Sequence, residues 1–328
     1  TQHSAPSTPG SPLRTQDSGL GTQNSALRTV LVIAGPTGVG KSELAVRVAS
    51  AIGGEIVNFD SVQIYRGFDI GSAKPSLETR GVVPHHLYDI IDADVEFNAA
   101  DYARLARTTC DEIVARGRRP ILVGGTFFYL RALLSGLPEM PPRDENVRAR
   151  IRNIAARPNG QARLHRWLAR VDPASGRAIA PMDRHRVERA LEVWLTSGLA
   201  ISSWERPAPV AGGVRIALQL ERKQLVDILD RRVDAMFRSG LIEETRALLE
   251  RYSPDARPFG TIGYREAAAV VQGTMTAEAA IAETRRRTRA YAKRQMTWLR
   301  AEPGMHWIDG KDREHAFEAA MRLIEALI

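Results

Sequence analysis

At 328 residues with 44% hydrophobic side chains, the chain can bury one large core or two, and it has no run of about 18 apolar residues that could span a membrane. Its single cysteine, Cys110, excludes an internal disulfide and a cysteine zinc cluster and suits a reducing, cytoplasmic setting. The net charge is +8, and where it lies along the chain matters more than its size.

Residues 1–28 are rich in Ser, Thr, Gln, Pro and Gly, and are expected to be disordered because they carry too little apolar surface to offset their ordering entropy. They lack the apolar centre of a signal peptide, and with only Arg14 and Arg28 as cations they make a poor transit peptide. The run TVLVIAG (29–35) reads as a buried strand. It feeds GPTGVGKS, a phosphate-binding loop made of Gly35, Pro36, Thr37, Gly38, Val39, Gly40, Lys41 and Ser42. The glycines let the backbone aim N–H groups at phosphate oxygens, and the following helix adds its positive end. Lys41 neutralises the outer phosphate and Ser42 can hold Mg²⁺. The signal indicates a diphosphate or triphosphate, without saying whether phosphate is transferred.

A helix is expected over 41–53, stopped by Gly53-Gly54, and a second strand over 54–61 ending near Asp60. A carboxylate there can take a proton from a nucleophile, reach Mg²⁺ through water, or simply cap a turn. Gln63 offers a donor and an acceptor suited to a base edge. His85-His86 lack a third metal ligand nearby and read as structural. A helix over 97–117 is expected to turn Leu105, Ile113 and Val114 inward, with Cys110 in its core. The run RRPILVGGT (118–126) is a third buried strand, without the closing acid of a nucleotide-hydrolysing motor. Strand signals vanish over 141–207, which reads as helices. They resume at 214–221, and 222–300 is again helical. Strands alternating with helices give an α/β fold: a P-loop NTPase-like parallel sheet flanked by helices, with core segments 29–140 and 208–328 and an α-helical insertion at 141–207.

The stretch ETRRRTRAYAKRQMTWLR (283–300) carries Arg285, Arg286, Arg287, Arg289, Lys293, Arg294 and Arg300, with no acid between 285 and 300. On a helix Arg286, Arg289, Lys293 and Arg300 share one stripe, as a polyanion backbone requires, unless the face is merely solvated. Tyr291 and Trp298 form a separate stripe, for core packing or base stacking.

In order along the chain, GPTGVGKS, NFDSVQIYRGFDIGSAKP (58–75), PHHLYDI (84–90), DYARLA (101–106), LVGGTFFYLRALL (122–134), RHRVERALEVWLTSG (184–198), IGYRE (262–266) and TRAYAKRQMTWLR (288–300) resemble the tRNA isopentenyltransferase family, the tRNA dimethylallyltransferases, in their bacterial form. The resemblance implies that the loop holds dimethylallyl diphosphate with Mg²⁺. It implies that the nucleophile is N6 of adenosine 37 in the anticodon stem-loop of tRNA, extruded from its stack. Asp60 is then the general base, Arg232 (in DRRVDAMF, 230–237) steadies the leaving diphosphate, and Thr126 lies near the adenine. Metal contacts fall to Ser42 and, through water, Asp60. Contacts to tRNA fall to Asp60, Ser61, Val62, Gln63, Thr126, Arg148, to His185, Arg186, Val187, Glu188 and Arg189 of the insertion, and to Lys293, Arg294, Gln295, Met296, Thr297, Trp298, Leu299 and Arg300, to which the cationic stripe adds Arg286 and Arg289. A monomer is expected. By the residues alone, Arg148 is equally a solvated helix arginine and 184–193 an ordinary amphipathic helix.

The chain departs from the family pattern at Phe127 and Phe128, which narrow the expected allyl channel. Ile228 stands where a second clamp arginine is usual, and Arg265 replaces a lysine. Two other readings compete. In a P-loop small-molecule or nucleotide kinase the insertion would be a lid, but the cationic helix would have no purpose. A nucleotide-gated RNA-binding switch would want an acid after ILVGG.

Overall fold

The computed structural model describes residues 29–138, 140–205 and 213–327, so the expected disorder of 1–28 and the end of the insertion at 206–207 lie outside the described residues. Over those residues the chain divides into two compact units, one drawn from Thr1–Leu133 and Val210–Ile328, the other from Leu134–Pro209.

The first unit is built on six parallel strands, β1 (Leu31–Ala34), β2 (Gly54–Asn58), β3 (His85–His86), β4 (Arg119–Gly124), β5 (Val214–Gln219) and β6 (Met305–Asp309), in the order β3-β2-β4-β1-β5-β6. Central strands of a parallel sheet are covered on both faces, so β1 is buried at every residue and reads as a continuous apolar run. Between the strands run α1 (Lys41–Ile52), α2 (Leu77–Val82), α3 (Ala99–Ala115) and α4 (Phe127–Ser135). Gly53 ends α1 at φ 64°, a left-handed cap that returns its N–H to Ala49. Leu44, Ala45, Val48 and Ala49 of α1 pack with Leu31, Ile33, Ile121 and Ile216 of the sheet.

Helix α3 begins with a capping box between Asn98 and Asp101 and buries Tyr102, Ala106, Thr109, Cys110 and Ile113. Its inward stripe excludes Leu105, which is exposed, and only grazes Val114, because the face is set by Tyr102 and Ala106 one turn apart. Two other boundaries differ from the sequence reading. Strand β2 stops at Asn58, so Asp60 lies in the turn beyond it, and β4 stops at Gly124.

After β1 the chain crosses to β2 on one side, and after β4 to β5 on the other. The C-terminal ends of β1 and β4 therefore bound the crevice where open parallel sheets bind ligands. Helices α9 (Arg222–Arg238), α10 (Leu241–Arg251), α11 (Tyr264–Val271), α12 (Ala277–Ala301) and α13 (Arg313–Leu327) complete the unit.

The second unit consists of α5 (Glu145–Ala155), α6 (Gly160–Val171), α7 (Pro173–Ala178) and α8 (Arg184–Ser197), with no strand among its described residues. Its core is Ile151, Leu164, Leu168, Val187, Ala190 and Leu191. No described helix in either unit is long and apolar enough to cross a membrane.

Candidate active site

Three loops leave the C-terminal ends of neighbouring strands β1, β4 and β2 and converge. The first is the phosphate loop. Gly38 and Gly40 sit at φ 80° and 99°, conformations that side-chain-bearing residues resist. A Cβ on Gly38 would stand 2.8 Å from Leu229 and 3.5 Å from Ile228 of α9, so Ile228 packs on the loop's back, at the position where a clamp arginine is usual. Lys41 turns its ammonium back to the Pro36 carbonyl at 2.8 Å. Burial and then the neighbouring Arg232 pull Lys41 down to about 7, with Asp60 acting the other way. Burial likewise lowers Arg232 from its usual range, opposed by Asp60. Two cations and one carboxylate, all half-buried, thus act on one another. The Ser42 hydroxyl, one residue into α1, is exposed and unbonded among the described residues.

The second loop follows β2. Asn58, fully buried, holds it: its Oδ1 accepts from Asp60 N–H at 2.9 Å, and its amide donates to Leu87 O at 3.0 Å. Asp60 caps the turn through Oδ1, which accepts from Val62 N at 2.8 Å and Gln63 N at 3.3 Å. Its Oδ2 makes no hydrogen bond among the described residues, so capping leaves one oxygen for chemistry. The Gln63 amide donates to Ser72 and Ala73 carbonyls at 3.0 and 3.2 Å, which uses both its N–H groups inside the protein.

The third loop follows β4. Thr126 Oγ1 accepts from Ser61 N–H at 3.0 Å and donates to Ser61 Oγ at 3.2 Å, so the second and third loops lock together. Gly124 lies so close to Phe59 that a Cβ would stand 2.7 Å away. Phe127 is buried against Phe59 with ring centroids 6.4 Å apart, while Phe128 is 53% exposed.

Helix α12 covers this cluster. Its cations divide into two groups. The expected acid-free stripe does not hold for its first half, because carboxylates arrive from outside the 285–300 window. Arg285 bonds Asp234 of α9 (Nε, 3.0 Å), Arg286 bonds Glu283 one turn back (2.6 Å), Arg287 pairs with buried Glu266 of α11, and Arg289 bonds Asp230 of α9 (2.8 Å). Lys293, Arg294 and Arg300 are exposed and pair with no carboxylate of the described residues. Gln295 and Leu299 are buried. Met296 and Trp298 are half-buried, and Trp298 lies under the Arg131 guanidinium at 4.5 Å. Thr297 is exposed and bonds back to Lys293 O.

In the helical unit, Arg148 and Arg189 both bind the fully buried Glu192, Arg148 at 2.9 Å through Nε and Arg189 at 2.7 Å, and Arg148 also faces Glu188 at 3.4 Å. Val187 belongs to that unit's core. His185 and Arg186 are exposed, and Arg186 lies 3.3 Å from Asp183. His86 bonds Glu55 at 2.7 Å, and among the described residues no cluster of three His, Cys, Asp or Glu side chains suits a metal.

Sequence reasoning missed Asn58 and Arg313 as site residues, and left Tyr291 open between core packing and base stacking. Asn58 had a signal, a polar side chain closing an apolar strand. Tyr291, whose phenol approaches Gly125 O at 3.4 Å, is pushed up to about 12 by burial and by the charge of Asp60. Arg313 had no local signal, since its target is the phosphate loop itself.

The family model described as IPP transferase matches residues 63–302. The chain is 46% identical over 295 residues to the tRNA dimethylallyltransferase of Geobacter sulfurreducens, covering 88% of this chain and 94% of that one. Among solved structures it is similar to the tRNA isopentenylpyrophosphate transferase of Bacillus halodurans, with TM-score 0.68, 36% identity, and 91% and 97% of the two chains covered. It is also similar to a eukaryotic dimethylallyltransferase acting on tRNA, with TM-score 0.76, 27% identity, and 90% and 78% covered.

Proposed function

Since the chain belongs to the IPP transferase family, we propose that it transfers the dimethylallyl group of dimethylallyl diphosphate to N6 of adenosine 37 in the anticodon stem-loop of tRNA. The products are N6-(dimethylallyl)adenosine and diphosphate. The observation that carries this reading is the half-buried group of Lys41 on the phosphate loop, Asp60 in the turn after β2 and Arg232 of α9, which feel one another's charge. Cations there suit a departing diphosphate, and a half-engaged carboxylate suits an incoming amine.

The allyl C1–O bond breaks with its electron pair leaving on the diphosphate, and a bond forms between C1 and N6. The amine proton passes to Asp60 Oδ2, the oxygen that capping leaves open. Thr126 and Ser61, tied to each other, hold the loop on which Asp60 stands. The diphosphate lies in the loop from Gly35 to Ser42. Mg²⁺ fits the residues present, since it keeps most of its waters and substrate oxygens and asks the protein for few ligands. Ser42 would hold it directly and Asp60 through water, and the ion would supply charge neutralisation on the leaving diphosphate.

The tRNA backbone is met by the exposed cations Lys293, Arg294 and Arg300 of α12, with His185 and Arg186 of the helical unit. Gln63, Arg148 and Arg189, whose donors are engaged within the protein, order these surfaces instead. We assign the active form as a monomer in the cytoplasm, where the buried Cys110 thiol stays reduced.

The test uses the full chain with labelled dimethylallyl diphosphate, Mg²⁺ and a tRNA transcript, followed by mass spectrometry of its nucleosides. The expected product is N6-(dimethylallyl)adenosine at position 37, absent from a transcript with guanosine there. Folded protein that leaves the transcript unmodified, or that moves the γ-phosphate of ATP to a small acceptor, would overturn the assignment.

A further inference from the structure

Gln295 lies in the middle of the cationic half of α12, yet the residue is only 3% exposed and its amide turns inward. Its Oε1 accepts from Thr37 N–H at 2.8 Å, and its Nε2 donates to the Gly125 carbonyl at 2.9 Å. Thr37 belongs to the phosphate loop after β1, and Gly125 to the loop after β4 that carries Thr126. One planar amide therefore spans the two loops that must be held in register. The fit is close: a Cβ on Gly125 would stand 2.4 Å from Nε2 and push the amide off its bond. Tyr291, one turn earlier on α12, approaches the same carbonyl at 3.4 Å. The bridge needs an acceptor at one end and a donor at the other, and among side chains of this length only glutamine has both.

We propose that Gln295 is a positioning residue that sets the distance between the diphosphate loop and the Thr126–Ser61–Asp60 cluster, rather than a contact to nucleic acid. The proposal rests on the transferase reading of this site. Its physical basis is the steep dependence of bimolecular transfer on alignment: the leaving group is held by one loop and the nucleophile's base by another. Reacting atoms must meet at near-contact distance, and a misplacement of about 1 Å costs roughly a hundredfold in rate. Diphosphate affinity, made by the first loop and Arg232 of α9, depends on the bridge much less.

Wild-type transfer to tRNA is measured first, so that failure of the transferase reading itself is seen separately as a wild type that modifies no adenosine. Gln295→Met, which keeps length and apolar volume but bonds neither loop, is then compared with Gln295→Glu, which keeps the acceptor for Thr37 and loses the donor to Gly125. The single-turnover rate at saturating substrates is expected to fall roughly 10- to 100-fold for methionine and at least as far for glutamate, whose buried carboxylate faces the Gly125 carbonyl. The dissociation constant for inorganic diphosphate, read by calorimetry, should move less than threefold, and the salt dependence of tRNA binding should stay unchanged. A flattened salt slope with an unaltered single-turnover rate would make Gln295 a tRNA contact. A rate loss no larger than the loss of folded protein, read from the melting transition of the same samples, would make it structural glue. Either result overturns the proposal.

Discussion

Arg313 donates to the Val39 carbonyl at 2.8 Å across 274 positions of sequence, and so the start of α13 reaches the phosphate loop from behind. The same guanidinium bonds Gly310 O at 3.2 Å and lies 3.4 Å from Glu43. A Cβ on Gly40, whose φ of 99° already favours glycine, would stand 1.8 Å from this guanidinium and displace it. Val39 C=O and Gly40 N–H belong to one peptide. A cation on the carbonyl polarises that peptide and strengthens the N–H offered to the diphosphate. With the arginine partly exposed, its contribution is about 1 kcal/mol. Arg313→Met should raise KM for dimethylallyl diphosphate about fivefold and leave kcat within about twofold. Steady-state kinetics with varied allyl substrate check this, and an unchanged KM would mean the contact serves the helix alone.

Asp60→Asn keeps the cap, because the amide oxygen still accepts from Val62 and Gln63, but it removes the base. The single-turnover rate should fall by about 10²–10⁴ while substrate binding changes less than tenfold. Arg232→Gln should raise KM for the allyl substrate as well as slow transfer, since it removes a cation from the leaving group. Recovery of the Asp60→Asn variant at high Mg²⁺ would place the carboxylate in the metal shell instead.

Lys41, held at about 7 by burial and by Arg232, gives a pH dependence of definite sign. In the unliganded protein it is charged below pH 7 and neutral above. Diphosphate needs the charged form, so above pH 7 binding takes up a proton. Affinity for inorganic diphosphate should fall above pH 7, by at most about tenfold per unit. Calorimetry in buffers of different ionisation heat should read an uptake approaching one proton. The stability of the unliganded protein runs the other way. The folded value lies below the unfolded one, so the unfolded chain binds more protons between about 7 and 10.5, and stability rises with pH across that window. Lys41→Met should abolish both trends.

The sheet was legible because its central strands are buried on both faces and announce themselves as apolar runs. The edges were not. Strand β3 is two residues long, and β6 buries only Ile308 along its length, so neither carries a period. The phosphate loop was legible because its glycines and Lys41 act within one stretch. The bonds of Gln295 and Arg313 to the phosphate loop were not legible, because their partners lie more than 250 positions away. The cationic helix was read too simply: the acids that neutralise its first half come from α9 and α11 and, for Arg286, from Glu283 just before the stripe.

Arg148 divides a structural role from an RNA role in the helical unit. Glu192 is fully buried and depends on Arg148, on Arg189 and on the Asp144 N–H at 2.8 Å. Removing one partner of such a buried cluster costs about 3 kcal/mol, since the remaining charge keeps its desolvation penalty. Arg148→Ala should therefore lower the melting temperature markedly, whereas Arg186→Ala, on the exposed face, should leave it nearly unchanged. If Arg148→Ala melted like the wild type and bound tRNA more weakly, its role would be recognition.

The two halves of α12 should respond differently to charge reversal. Arg286 and Arg289 already face Glu283 and Asp230, so their charge is largely spent within the protein. Lys293, Arg294 and Arg300 have no such partner among the described residues. For every tRNA phosphate that the protein ceases to neutralise, the dependence of log affinity on log salt should flatten by about 0.7–0.9. Reversing Lys293 and Arg300 together should lower the slope by about 1.5 and weaken tRNA binding, with inorganic diphosphate bound as before. Reversing Arg286 and Arg289 should change the slope by less than half as much, because their bound carboxylates already screen them. Filter binding across a salt series measures both. Equal slopes for the two double variants would show that the ion pairs open on binding and that the whole stripe reads the backbone.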